Sequence, residues 1–278
     1  MKTKLLLPAV FAFLIFNFAF TACGQGSLTP PGAPAPTMKT LDQIEPRTPI
    51  SSLPFDIIRA GSYYLTTNLT GSSGNSGIIV ETNNVTIDLN GFCLLGVSGS
   101  YNGVFVINAA TTNIVVCNGT ISGWTDGYGI SVLGKNATLE HLTLAANYNG
   151  VQLAGIGVVR DCLFIGNTQN GLVLNGSGCL VLHDVFSGNN SANVAGNASI
   201  AVQNNGNRIE DNQVTGSGPA GRGISAGAVT NNLIIRNSVF GGGGNNFVVG
   251  NGNIVGPLVT NTASGIITNS NPWANFSF

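Results

Sequence analysis

Only 8% of the 278 residues are Asp, Glu, Lys or Arg, while 43% are apolar and 39 are glycine. Ordinary soluble domains carry about 25% charged side chains, so this balance excludes a disordered, self-solvating chain, and the 10 basic residues are too few and too scattered for a nucleic-acid footprint. Gly, Asn, Thr, Ser and Val are weak helix formers, and Gly and Asn accept the left-handed conformations of tight turns, so the composition predicts an all-β chain of short strands.

The N-terminus reads as an address. Lys2 and Lys4 precede an apolar run from Leu5 to Phe20, broken only by Pro8 and Asn17, and small residues follow at Thr21-Ala22-Cys23-Gly24. This is the layout of a secretory signal over residues 1–24, too short for a good membrane span. Two processing routes stand: cleavage after Gly24, or use of Phe20-Thr21-Ala22-Cys23 as an imperfect lipobox that leaves Cys23 lipidated. The expected location is outside the cytoplasm, either extracellular, periplasmic or anchored to the outer membrane through Cys23. Without its signal the chain has 8 basic and 11 acidic side chains, a formal charge of −3. The four remaining cysteines (Cys93, Cys117, Cys162 and Cys179) contain no CxxC, so they suggest no zinc or redox motif. An oxidising compartment permits a disulfide, and aliphatic neighbours such as those of Cys117 suit a buried free thiol equally well.

Residues 25–40 form a Pro-rich extended spacer. Residues 41–75 are expected to cap a solenoid, because from Gly77 onward one phrase returns: Gly77-Ile78-Ile79-Val80, Gly103-Val104-Phe105-Val106, Gly129-Ile130-Ser131-Val132, Gly150-Val151-Gln152-Leu153 and Gly171-Leu172-Val173-Leu174. Degraded copies follow at Ser199, Gly223 and Asn246, at intervals of 21 to 28 residues. A period of this length without helix formers predicts a solenoid of strands. Within one period, three short alternating runs are separated by turns, giving a three-sided coil whose inward residues stack in aliphatic columns. About eight coils are expected over residues 76–256, with residues 257–278 as a lower cap or return strand.

On these residues the chain resembles bacterial right-handed parallel β-helix repeat proteins of the pectate-lyase-like superfamily. The likeness is carried by the NG-I-x-V phrase, by VTIDLNGF at 85–92, by IVVCNGTI at 114–121 and by the lead-in FDIIRAGSYYLTTNLTG at 55–71. It implies a single-stranded right-handed parallel β-helix with caps at both ends. It also places function on the outer side of the first strand of each coil, beside the longest loops.

On that side stand Ile79, Phe105, Ser131, Gln152, Val173, Ala201, Ser225 and Val248, none ionisable. A glycoside hydrolase needs two carboxylates about 5–9 Å apart, and a lyase of the resembled kind needs a base, so the catalytic candidates are weak ones. They are Asp126, in an Asp-Gly turn, and His183 with Asp184, which as strand neighbours point apart. Asp161, Asp184 and Asp211 read as turn residues at the shortest corner of each coil, not as a metal cluster. No metal or other cofactor is expected, since two His and, after the signal, one Met, with a GGGGNNFVV stretch lacking Asp, build neither copper nor calcium sites. Tyr101, Trp124, Tyr128 and Tyr148 fall in three successive variable loops before the coil glycine and, with Gln152, are expected to offer a platform for sugar rings. The expected function is an exported, monomeric binding or structural module, directed at polysaccharide or at a surface protein. The alternative is a polysaccharide lyase or glycoside hydrolase.

Overall fold

A computed structural model describes residues 45–241, 245–260 and 269–278. The expected signal segment, the expected spacer and Cys23 lie outside the described residues. Every regular element among them is a strand, and all pairings are parallel, so the chain is an all-β parallel β-helix. One coil consists of Asn149–Leu153, Gly157–Arg160 and Leu163–Ile165, and the next of Leu172–Leu174, Leu180–Leu182 and Val185–Ser187. The first strand of each coil joins a nine-stranded sheet, and the second and third join an eighteen-stranded sheet that folds round the other two sides.

Register follows the repeated phrase. Ile130 pairs with Val151 and Val151 with Leu172, while Val132 pairs with Leu153 and Leu153 with Leu174. All six are buried, and equivalent columns run through Val159, Val181, Ile209 and Ile234, and through Leu144, Phe164, Phe186 and Val214. Phe164 and Phe186 stack face to face with ring centroids 4.4 Å apart. Strand alternation thus delivers one continuous apolar core, as expected for side chains of period two.

Among the described residues the coils number about nine where about eight were expected, because residues 55–70, within the segment read as an upper cap, already form one. Phe55–Ile57 pairs with Ile78–Val80, Gly61–Leu65 with Val85–Asp88, and Leu69–Thr70 with Cys93–Leu95. Thr48–Ile50 then lies along the free edge of Gly61–Leu65. At the other end, the last strand, Asn275–Ser277, enters between Ser238–Phe240 and Leu258–Thr260.

The short corner between the second and third strands sets a left-handed residue in five successive coils: His141, Asp161, His183, Asp211 and Arg236, with φ between 53° and 58°. Asp184 is therefore not in line with Asp161 and Asp211. It falls one residue later, on the inside.

That inner position forms a ladder of side-chain amides. The Oδ1 of Asn237 accepts from the backbone N–H of Asn212, and the Oδ1 of Asn275 accepts from that of Asn237. The Nδ2 groups of Asn212, Asn237 and Asn275 donate to the carbonyls of Val181, Ile209 and Ile234, each one coil back. Asn147, Asn167 and Asn189 build a second ladder at the next corner, and Asn207, Asn232 and Asn253 a third. Corner backbone groups buried by stacking need partners, and an asparagine supplies an acceptor and a donor to successive coils at once.

Candidate functional site

The outer face of the nine-stranded sheet carries the expected residues in register. Ile79, Phe105, Ser131, Gln152, Val173, Ala201, Ser225 and Val248 follow one another from coil to coil. The first coil adds Asp56, paired with Ile79, as the one ionisable outward residue of this column. The face is less open than alternation alone implies: Ser131, Val173 and Ala201 are buried. Ser131 Oγ lies 3.2 Å from Gln152 Oε1, and Tyr128 packs on the patch made by Val173, Ala198 and Ala201.

Of the four expected aromatics, three flank this face. Tyr101 and Tyr148 are exposed and Tyr128 is half-buried. Burial, together with the neighbouring Tyr148, holds the Tyr128 phenol above its usual pKa. The amide of Gln169 donates to the hydroxyl of Tyr148. Trp124 does not belong to the platform, because its side chain is fully buried inside the coil. Cβ atoms added at Gly71, Gly77 and Gly103 would lie 2.5, 2.8 and 3.0 Å from indole atoms, so these three glycines make the room it fills. Its Nε1–H donates to the Leu94 carbonyl at 3.2 Å, and its backbone N–H donates to Asn147 Oδ1, which puts Trp124 at the head of an amide ladder.

The catalytic candidates are not brought together. Asp126 is exposed in the turn before Tyr128, with the Thr125 hydroxyl 3.3 Å from its Oδ1. His183 and Asp184 stand at a corner of the other sheet and face opposite ways. His183 is exposed between Asp161 and Asp211, at 3.8 and 3.7 Å, in a charged row that continues to Arg236. Asp184 is 1% exposed, so no solvent-borne substrate reaches it. Among the described residues no three His, Cys, Asp or Glu side chains are grouped to hold a metal. The four cysteines among the described residues are free. Burial pushes the thiols of Cys117 and Cys179 up to about 11 and that of Cys162 to about 12.

The sequence reading missed Arg222. It occupies the column of Tyr128 and Asn149, just before a coil glycine, and is half-buried. Its Nη1 donates to Ser225 Oγ at 3.2 Å, and among the described residues no carboxylate pairs with it. Beside it is a cavity of about 580 Å³, lined by Gln203, Arg222, Ser225, Ala201 and Val248. Asn197, whose carbonyl accepts the Arg222 backbone N–H, has a buried Nδ2 without a partner. The available signal was positional: an arginine stands where the four preceding coils have Tyr128, Asn149, Asn170 and Ala198. A smaller apolar hollow of about 350 Å³, beside Ile254 and Trp273, lies on the other sheet.

Chemically, the nine-stranded face offers, along a line, hydroxyls, amides, exposed phenol rings and a guanidinium that has no carboxylate partner among the described residues. Tyr128 and Arg222 are four coils apart in that line, about 19 Å at the usual strand spacing. No protein-family model, curated protein or solved structure matches this chain.

Proposed function

We propose that the protein is an exported polysaccharide-binding module of pectate-lyase-like architecture that lays an extended glycan along the outer face of its nine-stranded sheet. The observation that carries this reading is the line from Tyr148 and Tyr128 to Arg222, with Gln152, Gln203 and Ser225 between or beside them. Phenol rings match the apolar faces of sugars, and amides and hydroxyls match their OH groups. A half-buried guanidinium without an internal carboxylate gains most from a ligand oxygen that accepts its forked N–H groups. The signal segment and spacer fit export, with Cys23 as the lipid attachment point in the anchored form.

The test is size-exclusion chromatography of residues 25–278 mixed with neutral and acidic polysaccharides, following protein and polymer together. Co-elution with intact polymer, weakened in Tyr148→Ala and Arg222→Ala at unchanged melting temperature, is the expected result. Shortened polymer would replace the binding reading with an enzymatic one, with Asp126 as the first residue to mutate. Loss of stability in step with loss of binding would show that these residues only pack.

A further inference from the structure

We propose that Asp184 is a proton-holding rung of the amide ladder, so that the middle of the solenoid is locked by a neutral carboxyl group and loosened when that proton leaves. The ladder position is what assigns this role. Asp184 Oδ1 accepts the backbone N–H of Cys162 at 2.8 Å, and the Asp184 N–H donates to Asn212 Oδ1 at 3.0 Å, as an asparagine rung would do on both sides. The second atom of each asparagine rung below is an Nδ2 donating to a carbonyl one coil back: Val181 for Asn212, Ile209 for Asn237, Ile234 for Asn275. Val159 is the residue paired with Val181 in the coil before, so its carbonyl is the corresponding acceptor for residue 184. At Asp184 the atom in that place is Oδ2, which is buried and has no hydrogen-bond partner. An ionised oxygen there would oppose a carbonyl oxygen in a dry interior. A protonated one donates to it and completes the ladder.

Charge nearby acts in the same direction. From the coil above, Asp161 and the Cys162 thiol face this corner; from the coil below, Glu210 and Asp211 do, each already engaged by Arg208, Arg236 or both. The one titratable cation on its own coil, His183, is turned outward to Asp161 and Asp211. No cation therefore compensates a charge on the inside. Burial, with Asp161 adding to it, holds the Asp184 carboxyl up at about 8. In the unfolded chain it titrates near 3.9, so between these values the folded state keeps a proton that the unfolded state has lost. The folding equilibrium constant then falls by up to about tenfold per pH unit as pH rises through that window, and levels off above it.

The experiment measures urea unfolding of residues 25–278 at intervals from about pH 5 to about pH 9, for wild type, Asp184→Asn and His183→Gln. Wild type and His183→Gln should share the decline. Asp184→Asn, which restores the amide, should lose it and be the most stable of the three at the alkaline end. A carboxylic-acid carbonyl band in the infrared spectrum of the folded protein at neutral pH, absent from Asp184→Asn, is the independent readout. A wild-type profile that is flat across the range, or a decline kept in Asp184→Asn and lost in His183→Gln, would overturn the proposal.

Discussion

Gly150→Ala isolates the contact on which the whole stack depends. A Cβ at Gly150 would stand 2.2 Å from the carbonyl oxygen of Gly171 in the next coil, 3.0 Å from Phe164 Cδ1 and 3.2 Å from Asn167 Nδ2. The oxygen belongs to a peptide unit that Val151 N–H uses at 2.9 Å, and Gly150 N–H donates to Asn170 at the same distance. Relief of the clash requires the two coils to part locally, straining both bonds. Strained but not broken, the two bonds together give up about 1 kcal/mol of a net value near 1 kcal/mol each, and with an overpacking cost of about 1–3 kcal/mol the loss is about 3 kcal/mol. A chain of this size loses roughly 2–4 °C of melting temperature per kcal/mol, so thermal unfolding followed by circular dichroism should show a fall of about 6–12 °C. Gly188→Asn is the matched control. Gly188 has φ 61° with nothing near its Cβ position, and asparagine tolerates that conformation, so its melting temperature should stay near wild type. A Gly150→Ala protein as stable as wild type would refute glycine-over-glycine stacking in this register.

Further outcomes follow from the same frame. Leu153→Asp places a charge on a 1% exposed core position and should cost several kcal/mol, seen as a collapse of the urea midpoint. Ser131→Asp, which alternation alone would make nearly silent, should also destabilise, because Ser131 is buried against Gln152; equal stability of wild type and Ser131→Asp would show that this face is open. Asn237→Ala removes donors to Ile209 and Ile235 and the acceptor for Asn212, for a loss of about 1–3 kcal/mol per orphaned group, again read from urea unfolding. In residues 25–278, a thiol reagent at mildly alkaline pH should modify Cys93 first, while Cys117, Cys162 and Cys179 wait for unfolding, since burial holds their pKa values at about 11 or above. The proposed export in a lipid-anchored form predicts metabolic lipid labelling that disappears in Cys23→Ser; labelling of neither protein would leave the proposed cleavage after Gly24.

The repeat was readable because the two forces that shape a coil leave marks at fixed spacing. Inward aliphatics alternate, and a glycine precedes them wherever the next coil's carbonyl comes close. What stayed hidden was the polar interior. Asn147, Asn167 and Asn189 look like ordinary turn residues, and only the stacked geometry reveals that they bond upward and downward at once. Trp124 was misplaced for the same reason. It precedes its coil glycine in a variable loop, as Tyr101 and Tyr148 do in theirs, but its spacing of 23 residues from Asn147 matches a ladder rung and turns it inward. The first coil escaped notice because Phe55-Asp56-Ile57 offers one short alternation without a glycine before it. Arg222 was passed over because a lone arginine makes no repeat of its own, although it stands at the position of Tyr128 and Asn149; the structure distinguishes it by half-burial without a carboxylate partner among the described residues.

The lower end shows how far ladder chemistry decides the topology. In a regular continuation, Leu258–Thr260 would lie directly under Ser238–Phe240, with Pro257 at the rung beneath Asn237. Proline has no side-chain amide and no N–H, so Asn237 would lose the acceptor for its backbone N–H, and a ladder running from Asp184 through Asn212 would end with buried groups unpaired. The C-terminal strand takes that place instead. It brings Asn275 under Asn237, where Oδ1 accepts at 2.9 Å and Nδ2 donates to Ile234 at 2.9 Å and Gly256 at 3.2 Å. Leu258–Thr260 is displaced one position outward and pairs with the inserted strand. Apolar matching alone would not select this arrangement, since Leu258 stays 49% exposed in it. Satisfaction of one buried N–H does, and the same requirement makes Asp184 keep a proton.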